Sequence, residues 1–489
     1  MRSSLKLQVV TLVLSVCFLS LQTGISQTKA EKIDALLKQV SENGQFNGAV
    51  LVAENGKVIY KKGYGKANFE WDIPNAPDTK FRLGSITKQF TAMLILQLVQ
   101  QGKIKLDGTI TDYLPDYPKK TGDKITVHHL LTHTSGIPGY TEFPGFFRNM
   151  SRNPSTPMDF VKQFADSALL FEPGARWSYS NSAYFLLGVI IEKLTGGSYE
   201  QALQKSILDP LGMKNTGYDH HETILEKRAT GYERNPFGVT NAAYLDMSLP
   251  YAAGSLYSTV EDLYIWDQAL YTDKLLSPDL KAVMFQPHFR ANPAFHYAYG
   301  WMVATLPVSE TDSIAVIQHG GGINGFNTLI CRFPNEKHLT VLLNNTGGAP
   351  LVPINNAITG ILYNQPYSVP KRSLAQAFVK DLMTEGETKA RERFSDLRKN
   401  QSDAYALSER EMNSAGYLLM QTGKLREAIA VLKLNAEQFP QSSNVYDSLG
   451  EAYMNDGNKE LAIKNYEIAV KMDPTNVNGV EMLKKLKSR

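Results

Sequence analysis

The stretch Phe81-Arg82-Leu83-Gly84-Ser85-Ile86-Thr87-Lys88 decides how the rest of this 489-residue chain is read. Beyond it, Ile86, Phe90, Met93, Leu94, Leu98 and Val99 recur close to every 3.6 positions, and Gly102 follows as a C-cap. A helix is therefore expected, with Ser85 at or just before its first turn. Positions i and i+3 share a helix face, so the Ser85 hydroxyl and the Lys88 amine become neighbours. A serine hydroxyl is a feeble nucleophile without an adjacent base. A lysine stripped of water can lose its charge and accept that proton. The helix start also points backbone N–H groups and a positive dipole end at the reacting oxygen. Ser-x-x-Lys alone is a weak signal, because surface helices carry it routinely. Its weight here comes from two further segments.

One is Pro173-Gly174-Ala175-Arg176-Trp177-Ser178-Tyr179-Ser180-Asn181. A phenol such as Tyr179 can act as a base or pass a proton to a leaving group. The Asn181 amide can donate to a substrate carbonyl and accept from Lys88. The other is His319-Gly320-Gly321-Gly322, expected to end an apolar strand over 313–318. Glycines there let a substrate lie along the strand edge and leave N–H groups free. The Ser85 and Gly322 N–H groups can then form an oxyanion hole. Taken singly, the first segment reads as a capped turn and the second as a glycine-rich β-turn.

In this order the three elements resemble the serine β-lactamase and penicillin-binding protein superfamily, in particular its class C-like branch of DD-peptidases, D-aminopeptidases and esterases. Leu130-Leu131-Thr132-His133-Thr134-Ser135-Gly136 and Ala253-Gly254-Ser255-Leu256-Tyr257-Ser258-Thr259 with Asp262 match as well. The resemblance covers roughly residues 30–365. It implies acyl transfer through an ester on Ser85, with Lys88 and Tyr179 moving protons. Asn181, His319, Gly321 and Gly322 would bind substrate, His319 at its carboxylate or carbonyl end. One departure stands out: β-lactamases usually carry Lys-Thr-Gly where this chain has His319-Gly320-Gly321. A histidine is only partly charged near pH 7 and grips a carboxylate less firmly than lysine. Peptidase or esterase action is therefore expected ahead of efficient β-lactam hydrolysis. No class A acidic base loop is identifiable, which leaves deacylation to Tyr179 and Lys88.

The strand signals agree with such a fold. Residues 48–65 read as a β-hairpin around Asn55-Gly56. Strand patterns return only near 299–306, 313–318, 327–333 and 339–343. This predicts an α/β (α+β) β-lactamase-like domain over 27–366: one antiparallel sheet from both chain ends, flanked by helices, with a helical subdomain inserted. Later, Gly416/Gly450, Gly423/Gly457, Ala428/Ala462, Ile429/Ile463 and Pro440/Pro474 are each separated by 34 positions. That period resembles the tetratricopeptide repeat. An all-α helical-repeat domain is expected over 401–489, with a helix over 481–487 capping one end. Residues 367–400 read as a helical linker or a degenerate repeat. The repeats are either a docking surface for a protein partner or a stabilising appendage.

The chain has 51 basic and 48 acidic residues, a formal charge of +3, which offers no electrostatic footprint for nucleic acid. Arg2 and Lys6 precede an uncharged apolar run over 7–21, and Gly24-Ile25-Ser26 supplies small residues before Gln27. Residues 1–26 thus read as a secretory signal peptide, and the protein as exported, periplasmic or secreted, with no stable membrane span. Cys17 would leave with the signal, and Cys331 reads as a buried strand thiol. No cofactor is expected. His129 and His133 have the four-residue spacing that suits zinc on a helix, but Leu130-Leu131 between them looks like core and no His-Glu-x-x-His is present. His220-His221-Glu222 reads as an exposed loop. Tyr140, Phe143, Phe146, Phe147 and Trp177 either line an apolar substrate pocket or pack as loop core. The sequence thus points to a serine hydrolase of D-amino-acid peptides, amides or small esters. The alternative is a catalytically weak sensor or scaffold that recruits a partner through its repeats.

Overall fold

A computed structural model describes residues 27–307 and 312–488. The expected signal peptide, with Cys17, lies outside the described residues. The strands are β1 (Gly48–Glu54), β2 (Lys57–Tyr64), β3 (Phe289–Arg290), β4 (His296–Tyr297), β5 (Met302–Pro307), β6 (Ser313–Ile323), β7 (Phe326–Phe333) and β8 (His338–Asn344). They form one sheet in the order β3-β4-β5-β6-β7-β8-β1-β2. Every pairing is antiparallel. The first hairpin turns at Asn55 and Gly56, with φ of 52° and 74°. Both angles are needed for the tight turn that matches strand twist. Gly48 pairs with Asn344 and Ala53 with Leu339, so the N-terminal hairpin closes on the last strand. The sheet is built from both ends of the domain, as expected.

Both faces of the central strands are covered, and side-chain alternation sorts them. Ala49, Leu51 and Ala53 face the larger core. It also takes residues of α2 (Thr87–Gln100), α3 (Asn181–Thr195) and α4 (Val260–Ala269). Val50 and Val52 face a smaller core under α1 (Lys29–Glu42) and α5 (Leu351–Leu362). Cys331 is buried, as expected, and burial pushes its thiol up to about 12. It is no nucleophile at neutral pH.

The glycine segment corrects an expectation. β6 does not end at Gln318 but runs on through the glycines to Ile323, with Gly321 paired to Thr328 and Gly322 to Asn327. The reason is steric. A Cβ on Gly321 would fall 1.9 Å from the Leu83 carbonyl oxygen, so only glycine lets the strand keep its partner while lying against the Ser85 turn.

The C-terminal region is a stack of helix pairs: α6 (Leu374–Glu385) with α7 (Glu387–Asn400), α8 (Glu409–Gln421) with α9 (Leu425–Gln438), and α10 (Ser443–Asn455) with α11 (Lys459–Met472). α12 (Val477–Lys487) closes the end, a few residues earlier than expected. Leu374, Phe378, Val379 and Phe394 share one apolar cluster with Met412, Leu419 and Val431. The first pair is therefore packed into the stack rather than spanning as a linker. Two of the 34-residue glycines mark helix crossings, a Cβ on Gly416 coming within 2.6 Å of Leu432 and one on Gly450 within 3.1 Å of Tyr466, while Gly423 and Gly457 take positive φ in the turns between helices. Among the described residues no helix is long and apolar enough to cross a membrane.

Candidate active site

Ser85 sits in a 3-10 turn, Gly84–Ile86, that runs straight into α2. Gly84 has φ of 55° and packs against strand β6: a Cβ there would lie 2.9 Å from the Gly322 nitrogen. The turn and the strand edge thus meet backbone to backbone, which puts the Ser85 and Gly322 main chains side by side. One helical turn on, Lys88 is fully buried. Its Nζ lies 3.0 Å from Ser85 Oγ, 2.9 Å from Asn181 Oδ1 and 2.9 Å from the Ala253 carbonyl oxygen. No carboxylate pairs with it among the described residues, and burial drives its pKa well below the ordinary lysine value. A neutral amine has two N–H donors and one lone pair. Asn181 and Ala253 take the donors, and the lone pair is left for the Ser85 proton.

Tyr179 is brought in by the loop before α3, whose N-cap is Ser180. Its ring centroid is 4.8 Å from Lys88 Nζ. Burial holds its phenol protonated, against a smaller opposing pull from a hydrogen-bonding interaction with Ser85. The phenol is therefore suited to carrying a proton rather than to standing as a phenolate. Asn181 also donates through Nδ2 to Thr141 Oγ1 at 3.3 Å.

His133 supports this loop, a part the sequence did not reveal. Its backbone has φ of 59° and its side chain is fully buried. Its carbonyl accepts from the Ser178 N–H at 2.9 Å, and its Nδ1 accepts from the Ser180 N–H at 3.1 Å. The two bonds bracket Tyr179, whose ring lies 4.3 Å from the imidazole. The zinc possibility gains no support: His133 lies beyond the short helix Val127–Leu131, and His129 Nδ1 accepts from the Thr126 N–H. No cluster of metal-binding side chains occurs among the described residues.

His319 corrects a second expectation. It is 5% exposed, with its ring 6.4 Å from that of Tyr179. Its Nε2 is 3.0 Å from the Tyr297 hydroxyl and its Nδ1 is 2.6 Å from the Gly320 carbonyl oxygen. Burial pulls its pKa down to about 4. The imidazole is neutral at pH 7, so it offers no charge to a carboxylate. A side chain at Gly321 would run into Leu83 and Thr328.

The cleft over Ser85 has a volume of about 350 Å³. Tyr140, Phe146 and Phe147 form its apolar side, while Asn181, Gly322, Asn324 and Glu233 are among its polar groups. Of the five aromatics singled out, Phe143 and Trp177 are not on the wall; Trp177 packs on His133 and Tyr297. A larger cavity of about 690 Å³ lies where the hairpin of Tyr232–Asn235 and Gly238–Asn241 approaches α6. It contains none of the Ser85, Lys88 or Tyr179 chemistry and touches the Ser85 cleft only at Gly347 and Gly348. His220 and His221 lie in a loop, with His220 2.9 Å from Glu200.

Comparison with known proteins agrees with this geometry. The chain is 31% identical over 368 residues to a penicillin-binding protein of Bacillus subtilis, covering 71% of this chain and 79% of that one. It is 28% identical over 341 residues to a teichoic acid D-alanine hydrolase of Staphylococcus aureus, covering 70% and 80%. Among solved structures, the D-amino acid amidase of Ochrobactrum anthropi superposes with a TM-score of 0.59 at 27% identity, over 68% of this chain and 97% of that one. A tetratricopeptide repeat pattern matches residues 443–476. The beta-lactamase family pattern matches residues 33–376, and the chain belongs to that family as a serine hydrolase related to the penicillin-binding proteins.

Proposed function

We propose that this protein is an exported serine hydrolase that forms an acyl-enzyme on Ser85 and acts on D-amino-acid amides, peptides or small esters. The observation that carries the proposal is Lys88 buried without a counterion, its Nζ 3.0 Å from Ser85 Oγ. In this reading Ser85 Oγ attacks the substrate carbonyl carbon while its proton passes to the neutral Lys88 amine. The negative oxygen that develops sits between the Ser85 and Gly322 N–H groups. When the intermediate collapses, the leaving nitrogen or oxygen takes a proton through the Tyr179 hydroxyl. Water then enters by the reverse route and frees the acid. The D-amino preference is supported by the named activities of two relatives, the D-alanine hydrolase and the D-amino acid amidase. Export is supported by the residue pattern at 1–26.

The test is labelling with a fluorophosphonate, followed by turnover of a panel of D-alanyl amides, p-nitrophenyl esters and β-lactams. Labelling of the wild type and none of Ser85→Ala is expected. Labelling that survives in Ser85→Ala would remove Ser85 as nucleophile. Stoichiometric labelling without turnover of any panel member would favour the sensor reading.

A further inference from the structure

Among the described residues, the walls of the Ser85 cleft carry one carboxylate and no lysine, arginine or histidine. Glu233 lies on the strand Tyr232–Asn235, which pairs in parallel with Thr346–Gly347. Strand alternation buries Tyr232 beneath Phe69, presents Glu233 to the cleft and turns Arg234 toward the larger cavity. The carboxylate has a prepared seat. Its Oε1 accepts from the Gly325 N–H at 2.9 Å. Beside its Oε2 the chain has a glycine: a Cβ on Gly347 would fall 1.8 Å from that oxygen. No Lys, Arg or His forms an ion pair with Glu233 among the described residues. The other polar groups of the wall, Ser85, Thr141, Asn181, Asn324 and Asn327, are uncharged. His319 is neutral at pH 7, its pKa lowered to about 4 by burial.

We propose that Glu233 binds the protonated α-amino group of the substrate's acyl part. The inference rests on the hydrolase reading and deepens it. The substrate class becomes aminoacyl amides and esters that carry a free ammonium and no carboxylate on the leaving side. The physical basis is charge matching. An ammonium entering the cleft gains charge-assisted hydrogen bonds to a half-buried carboxylate already held in place. A carboxylate-bearing ligand, such as a β-lactam or a peptide ending in a free D-alanine, meets a like charge and no cation to hold it. Tyr140, Phe146 and Phe147 leave an apolar wall for the acyl side chain.

The experiment compares wild type and Glu233→Gln on three probes: D-alanine p-nitroanilide, its N-acetyl derivative and p-nitrophenyl butyrate. Wild type should prefer the free amine over the N-acetyl compound. Glu233→Gln should lose roughly 10- to 100-fold in kcat/KM on the free amine alone, the range expected for a hydrogen bond to a charged group. The butyrate ester reports that the variant is folded and can still acylate. Glu233→Asp should recover part of the amine preference. Equal loss on all three probes, or an unchanged preference, overturns the inference and leaves the hydrolase reading intact. A wild type inactive on all three overturns both.

Discussion

Among the described residues, one lysine and one arginine are fully buried in the catalytic domain, and they are treated in opposite ways. Arg332, on β7, is 2% exposed, and its Nε meets Asp267 Oδ1 at 2.6 Å. Its guanidinium also lies 4.7 Å from the ring centroid of Tyr271. Lys88, across the core, has carbonyl and hydroxyl oxygens for partners and no carboxylate. A buried charge with a counterion keeps its charge and ties elements together. One without a counterion gives its proton up. The first arrangement holds β7 to α4; the second yields an amine able to accept a proton.

That contrast can be broken from either side. The largest effect is expected at the lysine without a counterion. Lys88→Ala should lower the second-order rate of Ser85 acylation by roughly three to six orders of magnitude, as members of a catalytic unit do when removed. Its unfolding curve should change far less. Asp267→Ala reverses the pattern: it strands Arg332 and should cost about 3–5 kcal/mol in urea unfolding, with activity per folded molecule preserved. A pH series sharpens the comparison further. Acylation by an uncharged ester should fall as pH drops through the depressed pKa of Lys88, because the protonated amine cannot take the Ser85 proton. His319 acts on stability instead. Its folded value, about 4, lies below the ordinary 6.5, so the unfolded chain binds the extra proton. Its contribution is full above pH 6.5 and is lost as pH falls toward 4, by roughly 3 kcal/mol. Activity between pH 7 and 8 should show no break from His319. The smallest catalytic effect is expected in the repeats. Gly416→Ala presses on Leu432 and should destabilise the helix stack by about 1–3 kcal/mol, leaving p-nitrophenyl ester turnover unchanged.

What the sequence made readable was local. Ser85 and Lys88 are one helical turn apart, Asn55-Gly56 is a two-residue turn, and the 34-residue spacing repeats along the chain. Each is set by near neighbours, and each appears in the structure. Tyr179 and Asn181 were legible because their spacing accompanied the first motif. What was hidden depends on distant contacts. His133 brackets Tyr179 across 46 positions, a contact that no local spacing announces. Glu233 sits on a short strand with no motif around it. His319 was read by its intrinsic titration, whereas burial decides its charge. The strand was expected to stop at the glycine run because the reason it continues, the closeness of Leu83, lies more than two hundred residues upstream.

That closeness has a consequence for how activity arises as the chain is made. The Ser85 turn and the strand it leans on come from opposite ends of the domain, and the gap between them admits no side-chain atom at position 321. An early fragment ending before β6 contains Ser85, Lys88 and Tyr179 yet lacks the Gly322 amide. The nascent protein should therefore stay catalytically silent until the last strands have docked, so the onset of turnover marks the moment the sheet is complete.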